Sequence, residues 1–383
     1  MKLSSSEITR IEMISQGHED GISLAQGALR IGGVSPKIRN YVSEILKTDK
    51  ADYYGSPGGT RELKHLLLDS FKENYSVNLP LSKIMACHGA MGGFASLALA
   101  VLKPGDEVLI PEPSYPVHKK MVSVVGATPK IIPFHVKAEM AGKERWEFDF
   151  DAIEKNINQQ TRMMILANPS NPLGAVLTKK ELETLIELAE KHSIYLVFDE
   201  AYEDFVFEGD FCSAISYIEK SDLVVRLGTF SKSHAMSGWR IGSVVASMDL
   251  IEKMTAVQAT IFSSPSLVSQ YAACGALKNP EIPIAANKVL KESLDVAVEE
   301  LEPLVKSGFC SYVKPKSSFF LFLKLAGHDD TTEFVHDFLH AKHVSLVPGK
   351  VFGPSFKKYV RICFARPKDV VREGIRRLKD FVD

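Results

Sequence analysis

No stretch of about 18 residues runs apolar and uncharged, and the N-terminus from Met1 to Arg10 lacks the hydrophobic centre of a secretory leader. Neither a membrane span nor export is expected, and the chain reads as soluble and cytoplasmic. Cysteine is scarce and scattered. Cys87, Cys212, Cys274, Cys310 and Cys363 form no Cys-x-x-Cys pair and are odd in number, which argues against a disulfide framework or a zinc knuckle and for reduced, mostly buried thiols. An excess of one charge is missing as well. With 46 basic and 47 acidic residues the formal net charge is -1, so there is no electrostatic footprint for nucleic acid or an anionic membrane, and small molecules or other proteins are the expected partners. No internal repeat or low-complexity tract interrupts the chain.

What is present is an ordinary globular composition, 45% hydrophobic over 383 residues, enough for a large core and two domains. From about residue 84 to 245 strand and helix patterns alternate, which argues a mainly parallel sheet with helices on both faces. Within that order, Leu223–Leu227 reads as a buried strand that emerges into Gly228-Thr-Phe-Ser-Lys-Ser-His-Ala-Met-Ser-Gly-Trp-Arg-Ile-Gly242. Lys232 then stands at the C-terminal end of a strand, where open α/β sheets place ligands. An amine that is partly desolvated and near other cations loses its proton below the reference of roughly 10.4 and forms a Schiff base with an aldehyde. Pyridoxal phosphate (PLP) is such an aldehyde. Thr229 and Ser231 offer hydroxyls, and Arg240 a fork of donors, to its phosphate.

Other segments end on residues with chemistry. Ile194-Tyr-Leu-Val-Phe-Asp-Glu-Ala-Tyr202 ends a buried strand on Asp199, a carboxylate that is costly there unless it meets a cation. A protonated pyridine nitrogen would satisfy it; a structural salt bridge or a helix cap is the alternative. Arg361 lies mid-strand among apolar neighbours and fits a substrate α-carboxylate as a planar bidentate donor, an ordinary ion pair being the other reading. The glycine turn after Ile84–His88 precedes a helix read as Phe94–Leu102, and a helix N-terminus of that kind suits a phosphate. Prolines around Tyr115 fix an aromatic face that can stack on a pyridine ring or simply pack in a core. The strand in Arg162–Gly174 ends in two Asn-Pro turns. Gly27 closes a short strand and lets a ligand approach the backbone, or merely turns the chain. Arg30 reads as a solvated cation and His88 as structural.

The stretch Ser231-Lys-Ser-His-Ala-Met-Ser-Gly-Trp-Arg-Ile-Gly242 closely resembles the PLP-lysine signature of the class I/II aminotransferases, the aspartate-aminotransferase-like enzymes of PLP fold type I. Asn168-Pro-Ser-Asn-Pro-Leu-Gly174 and Asp199-Glu-Ala-Tyr202 follow the family pattern in the family order, so the resemblance spans nearly the whole chain. It implies that the backbone of Gly89, Ala90 and Met91 holds the phosphate, that Tyr115 stacks on the ring, and that Asn171 and Tyr202 meet the cofactor's phenolic oxygen. Arg361, with Gly27 and Asn171, is implied in substrate binding. Tyr54, in Asp52-Tyr-Tyr-Gly-Ser-Pro-Gly-Gly-Thr-Arg-Glu-Leu63, is implied to reach the cofactor phosphate of a neighbouring subunit, hence a homodimer. The residues after Gly27 depart from the usual Pro-Asp-Phe, and Ser317 stands where the family generally has glycine.

The fold expected from the resemblance is α/β, a large domain with a mainly parallel seven-stranded sheet flanked by helices, plus a smaller α+β domain. Residues 1–45 are expected to join the small domain, 46–280 to form the large PLP-binding domain and 281–383 the small one, linked by a long helix near residues 285–305. Residues 129–150 read as a strand, a charged loop from Lys137 to Glu147, and a helix starting at Asp149. The expected activity is a PLP-dependent aminotransferase that moves an amino group from an L-amino acid to a 2-oxo acid by a ping-pong mechanism, with Lys232, Asp199 and Tyr202 catalytic and no metal. A PLP lyase or cyclase on the same fold is the alternative, kept for the unusual segment Ala28–Val34. A PLP-binding regulator without turnover is a third reading, disfavoured because Lys232 is present and no DNA-binding helix pair precedes residue 20.

Overall fold

The strand ends singled out above become neighbours because their strands share one sheet. The computed structural model describes residues 6–133, 135–140, 143–147 and 149–383. Seven strands, β1 (Ile84–Cys87), β2 (Glu107–Glu112), β3 (Thr128–Pro133), β4 (Thr161–Ala167), β5 (Tyr195–Asp199), β6 (Val224–Thr229) and β7 (Gly242–Val245), lie in the order β1-β7-β6-β5-β4-β2-β3. β7 runs antiparallel to β1 and β6, and every other pairing is parallel. A strand covered on both faces must be apolar along its length. In β5, Leu196 and Phe198 enter one core while Val197 enters the core on the opposite face, and Val224 and Val225 divide the same way in β6.

One residue breaks that rule. Arg226 of β6 is only 3% exposed. Its Nε donates to Glu200 Oε2 at 2.9 Å and its Nη2 pairs with Glu203, so two carboxylates compensate the guanidinium within the fold.

The helix after β1 begins at Gly89 instead of Phe94. The glycine-rich turn is itself helical, because the helix lies close on the sheet. A Cβ at Gly93 would come within 2.5 Å of Val244 Cγ2, so a residue with a side chain would push the helix away. The expected charged loop is instead a pair of antiparallel strands, His135–Met140 and Lys143–Glu147. Asp149 caps the following helix, accepting from the Ala152 N–H at 2.8 Å.

The smaller unit is built on β8 (Cys310–Ser311), β9 (Phe320–Leu325), β10 (Val347–Pro348) and β11 (Tyr359–Cys363), antiparallel in the order β8-β9-β11-β10. Its core takes residues from the helices Glu281–Lys306, Thr332–Lys342 and Lys368–Val382. Near the N-terminus Ile22–Ser23 pairs with Val344–Ser345, and Ile11 enters the same core. The helix Pro36–Ile45 behaves differently from the rest of that segment. It places Ile38 and Val42 in the core of the large sheet, with Tyr41 against Gly275 of the helix Leu267–Leu277. Its apolar face finds cover only there, so the chain passes between the units near residues 27–34. Among the described residues no helix is long and apolar enough to cross a membrane, and no cluster of His, Cys, Asp and Glu could hold a metal ion.

Candidate active site

At the carboxyl ends of β4, β5 and β6, facing the start of the helix Gly89–Val101, lies a cavity of about 120 Å³. Ala90, Met91, Tyr115 and Asn171 line one part, and Asp199, Tyr202, Thr229, Ser231, Lys232 and Arg240 the rest. Residues spread over 150 positions of sequence converge because parallel strands deliver all their carboxyl ends to one edge.

Lys232 sits three residues beyond β6. Its Nζ donates to the carbonyl of Gly27 at 2.7 Å and lies 5.8 Å from the centre of the Tyr202 ring. The accessible part of this side chain faces the cavity, and the amine is otherwise enclosed. That burial lowers its pKa to about 8; Asp199 opposes the shift while Arg361 and Arg240 add to it. An amine with that pKa is about one-tenth neutral at pH 7. Because only the neutral form attacks an aldehyde, capture of PLP by the cofactor-free protein should accelerate as pH rises and level off above about 8. Stopped-flow absorbance across pH checks this, and a rate that stays flat from pH 6 to about 9 would contradict it.

Asp199 ends β5, almost wholly buried. Its Oδ2 lies 2.9 Å from His118 Nε2, and its Oδ1 accepts from the Ala201 N–H at 3.3 Å. His118 is a site residue that the sequence reading missed. It lies on the helix Pro116–Val124, buried on the same face as Val122, and the only sequence signal is a polar residue in phase with that apolar face. The ring of Tyr115 meets His118 edge-on at 5.5 Å. Among the described residues His118 Nδ1 is buried without a partner.

Around the other end of the cavity the donors suit a phosphate. The helix starting at Gly89 has no side-chain cap, so its first N–H groups are free for an anion. Thr229 Oγ1 and Ser231 Oγ are 2.8 Å apart. The Arg240 guanidinium is steered by the carbonyls of Ser237 and His88. Gly89, at φ 70°, could carry no side chain there, since a Cβ would lie 2.7 Å from Arg240 Nη2. Cationic, hydroxyl and N–H donors at one end and a buried carboxylate at the other match the two polar ends of PLP.

Arg361 approaches from β11 of the small unit. It is 1% exposed and sandwiched by Phe320 and Phe352, with Cζ 4.1 and 4.8 Å from the ring centres. Nη1 donates to Asn171 Oδ1 at 3.0 Å and Nη2 to the carbonyl of Ala25, while Nε is buried without a partner. No carboxylate of the protein is bonded to it among the described residues, so the ion-pair alternative fails. Asn171 also reaches toward the Tyr202 hydroxyl at 3.5 Å. Gly27 is needed for space, because a Cβ would meet Phe320 Cζ at 2.9 Å.

Three residues fall outside this constellation. Tyr54 is 93% exposed and does not line the cavity. Arg30 is exposed, as its reading as a solvated cation expects, and from there bonds to Glu12 at 2.9 Å and to Gln26 at 2.6 Å. His88 packs its ring on Phe262 at 4.7 Å, and burial lowers its pKa.

The family described as aminotransferase class I and II matches residues 19–378. The chain belongs to it. This class I/II aminotransferase is 30% identical over 341 residues to the aspartate aminotransferase of Bacillus subtilis (strain 168), covering 86% of this chain and 84% of that one. It is 30% identical over 378 residues to aromatic-amino-acid aminotransferase 2 of Thermococcus litoralis, covering 98% and 95%. The solved structure of aspartate aminotransferase from Thermotoga maritima superposes with a TM-score of 0.86 at 26% identity, over 98% of this chain and 95% of that one. The aminotransferase therefore has the fold-type-I α/β architecture, depends on PLP, and is a transaminase. The lyase or cyclase reading is not favoured.

Proposed function

We propose that Lys232 carries PLP and moves the proton during transamination between an L-amino acid and a 2-oxo acid. The observation that carries this reading is that Lys232 and Asp199 line one cavity while Arg361, from a third element, is bonded to Asn171 of the same lining at 3.0 Å. PLP, when bound, supplies the electron sink that stabilises negative charge at the substrate Cα. Asp199, held by His118, would hold the pyridine nitrogen and favour its protonated form. Tyr115, Asn171 and Tyr202 line the same cavity, where the first would cover the ring and the other two would bind the phenolic oxygen. The N–H groups of Gly89, Ala90 and Met91, with Thr229, Ser231 and Arg240, hold the phosphate. Arg361 takes the substrate α-carboxylate beside Asn171 and Gly27, which sets the Cα–H bond toward Lys232 Nζ. Lys232 Nζ, displaced by the substrate amine, would then be the base that accepts the Cα proton and, once protonated, the acid that gives it back.

The test mixes protein and PLP with a panel of amino acids, with and without 2-oxoglutarate or pyruvate, and reads products by mass spectrometry. Glutamate or alanine should form only when both a donor and an acceptor are present. Product released without any acceptor would overturn the reading.

The same reading makes the enzyme a cytoplasmic homodimer, with residues 6–33 belonging to the small unit and 34–280 to the large one. Tyr53, Tyr54, Ile261 and Phe262 are all exposed, and Gly55 lies tight against Leu267 and Ser264, which brings the two segments together. Such an apolar surface suits a second copy, from which Tyr54 would reach the neighbouring phosphate. Sedimentation should give the mass of two chains; a monomer at micromolar concentration would sink the dimer.

A further inference from the structure

Behind the segment that carries Lys232 lies a second and larger cavity of about 600 Å³. It holds no lysine beside a strand-end carboxylate and is not the reaction site, yet the two cavities share a wall. Ser231 and Lys232 line the smaller one, Phe230, Ser233 and His234 the larger, and Thr229 both. The helix Arg61–Tyr75 supplies one apolar side through Leu67 and Phe71, and the helix Glu281–Lys306 supplies the other.

The floor is built from Glu203, Asp204 and Arg226. Arg226 is already spent: it serves Glu200 and Glu203, reaches Ser243 Oγ at 3.5 Å and lies 5.1 Å over the Phe71 ring. Tyr75 donates its hydroxyl to Glu203 Oε2 at 2.7 Å. The floor thus sets two carboxylates, Glu203 and Asp204, against a guanidinium shared with Glu200, and among the described residues no ion pair reaches Asp204, which takes the Ser233 hydroxyl and feels Glu203 and Arg226 through space. His234 is 8% exposed, and its Nδ1 is 2.9 Å from Ser233 Oγ while Nε2 has no hydrogen-bond partner among the described residues. At the rim stand Lys288 and Lys291, exposed and without an ion pair among the described residues.

We infer that this cavity is a second ligand site for a small molecule with an ammonium at one end, an apolar middle and a carboxylate at the other, the ω-amino carboxylate class. The ammonium meets Asp204 and the free nitrogen of His234, the chain lies on Leu67 and Phe71, and the carboxylate meets Lys288 and Lys291. Asp204, although accessible, lies deep in the concavity. Desolvation, with Glu203 beside it, raises its carboxyl to about 6, and an arriving ammonium would favour its ionised form. Because the segment 229–234 is common to both cavities, occupancy here is transmitted to the loop that bears Lys232.

The test is calorimetry on the PLP-loaded enzyme with ε-dimethylaminocaproate, a tertiary amine that cannot condense with PLP, beside caproate and N,N-dimethylhexylamine, each lacking one charged end. A saturable heat is expected with the first, and at least tenfold weaker binding with the other two. Asp204→Asn should weaken the first at least tenfold. The double variant Lys288→Ala with Lys291→Ala should bring it down to the level of the amine alone. Binding should persist in Arg361→Ala, which separates this site from the reaction cavity, and the visible absorbance of bound PLP should shift on saturation. No saturable heat up to millimolar probe, unchanged affinity in Asp204→Asn, or loss of binding in Arg361→Ala would each overturn the inference.

Discussion

Replacing Lys232 by alanine is expected to lower transamination at least about a thousandfold, near the upper end of what a positioned proton-transfer group contributes, and to release PLP from covalent attachment. Among the described residues no other amine lines the cavity, and the one other cation lining it, Arg240, is a guanidinium turned toward the carbonyls of Ser237 and His88. A guanidinium stays protonated and can neither attack an aldehyde nor accept the Cα proton at neutral pH. The alanine variant keeps the phosphate donors and Asp199, so it should still bind PLP, but reversibly. Borohydride treatment and mass spectrometry should find PLP on the wild-type chain at Lys232 and none on the variant, while gel filtration strips the cofactor from the variant alone. Turnover within tenfold of wild type, or covalent PLP at another lysine, would remove Lys232 from its assigned place.

Asp199→Ala should cost less than the lysine but more than any change in the phosphate end. Breaking a buried charge pair by removing one member costs about 3–5 kcal/mol, which corresponds to roughly a hundredfold to a few thousandfold. The loss falls on two groups at once. The pyridine nitrogen loses its counter-charge, and His118, fully buried with Nδ1 already unpartnered, loses the acceptor of its other ring nitrogen. Both PLP affinity and kcat should therefore drop, and Asp199→Glu should recover part of kcat where Asp199→Asn does not. PLP affinity and kcat both within threefold of wild type in Asp199→Ala would show that this carboxylate does not serve the ring.

The legible parts of the site were those where a single segment breaks its own pattern. A buried strand is apolar throughout, so Asp199 after Leu196–Phe198 and Lys232 beyond Leu227 stand out in one dimension. The doubled Asn-Pro turn ending β4 marks Asn171 in the same way. His118 was not legible, because its meaning lies in a contact with a residue 81 positions away, and a histidine on an amphipathic helix gives no local sign of it. Arg226 was passed over inside a run read as apolar; the carboxylates that make it tolerable are 23 and 26 residues earlier, on the loop after β5. The helix start at Gly89 was misplaced because four glycine and alanine residues read as a turn until a sheet is set beneath them. The packing of Pro36–Ile45 on the large unit depends on a helix more than 200 residues later in the chain, beyond the reach of any periodicity.

Arg361 stands on β11 of the small unit, whereas Lys232 and Asp199 stand at strand ends of the large one. Under the proposed roles, a substrate gripped by Arg361 and presented to Lys232 would bridge the gap between residues of the two units. That gap works as a gauge of length. In an α-amino acid one carbon separates the nitrogen from the carboxylate; each further carbon in a β- or γ-amino acid carries the nitrogen past its station unless the two bodies move apart. Under those roles the spacing between Arg361 and Lys232 would screen substrates by the position of the amine along the carbon chain, before any side-chain pocket is consulted.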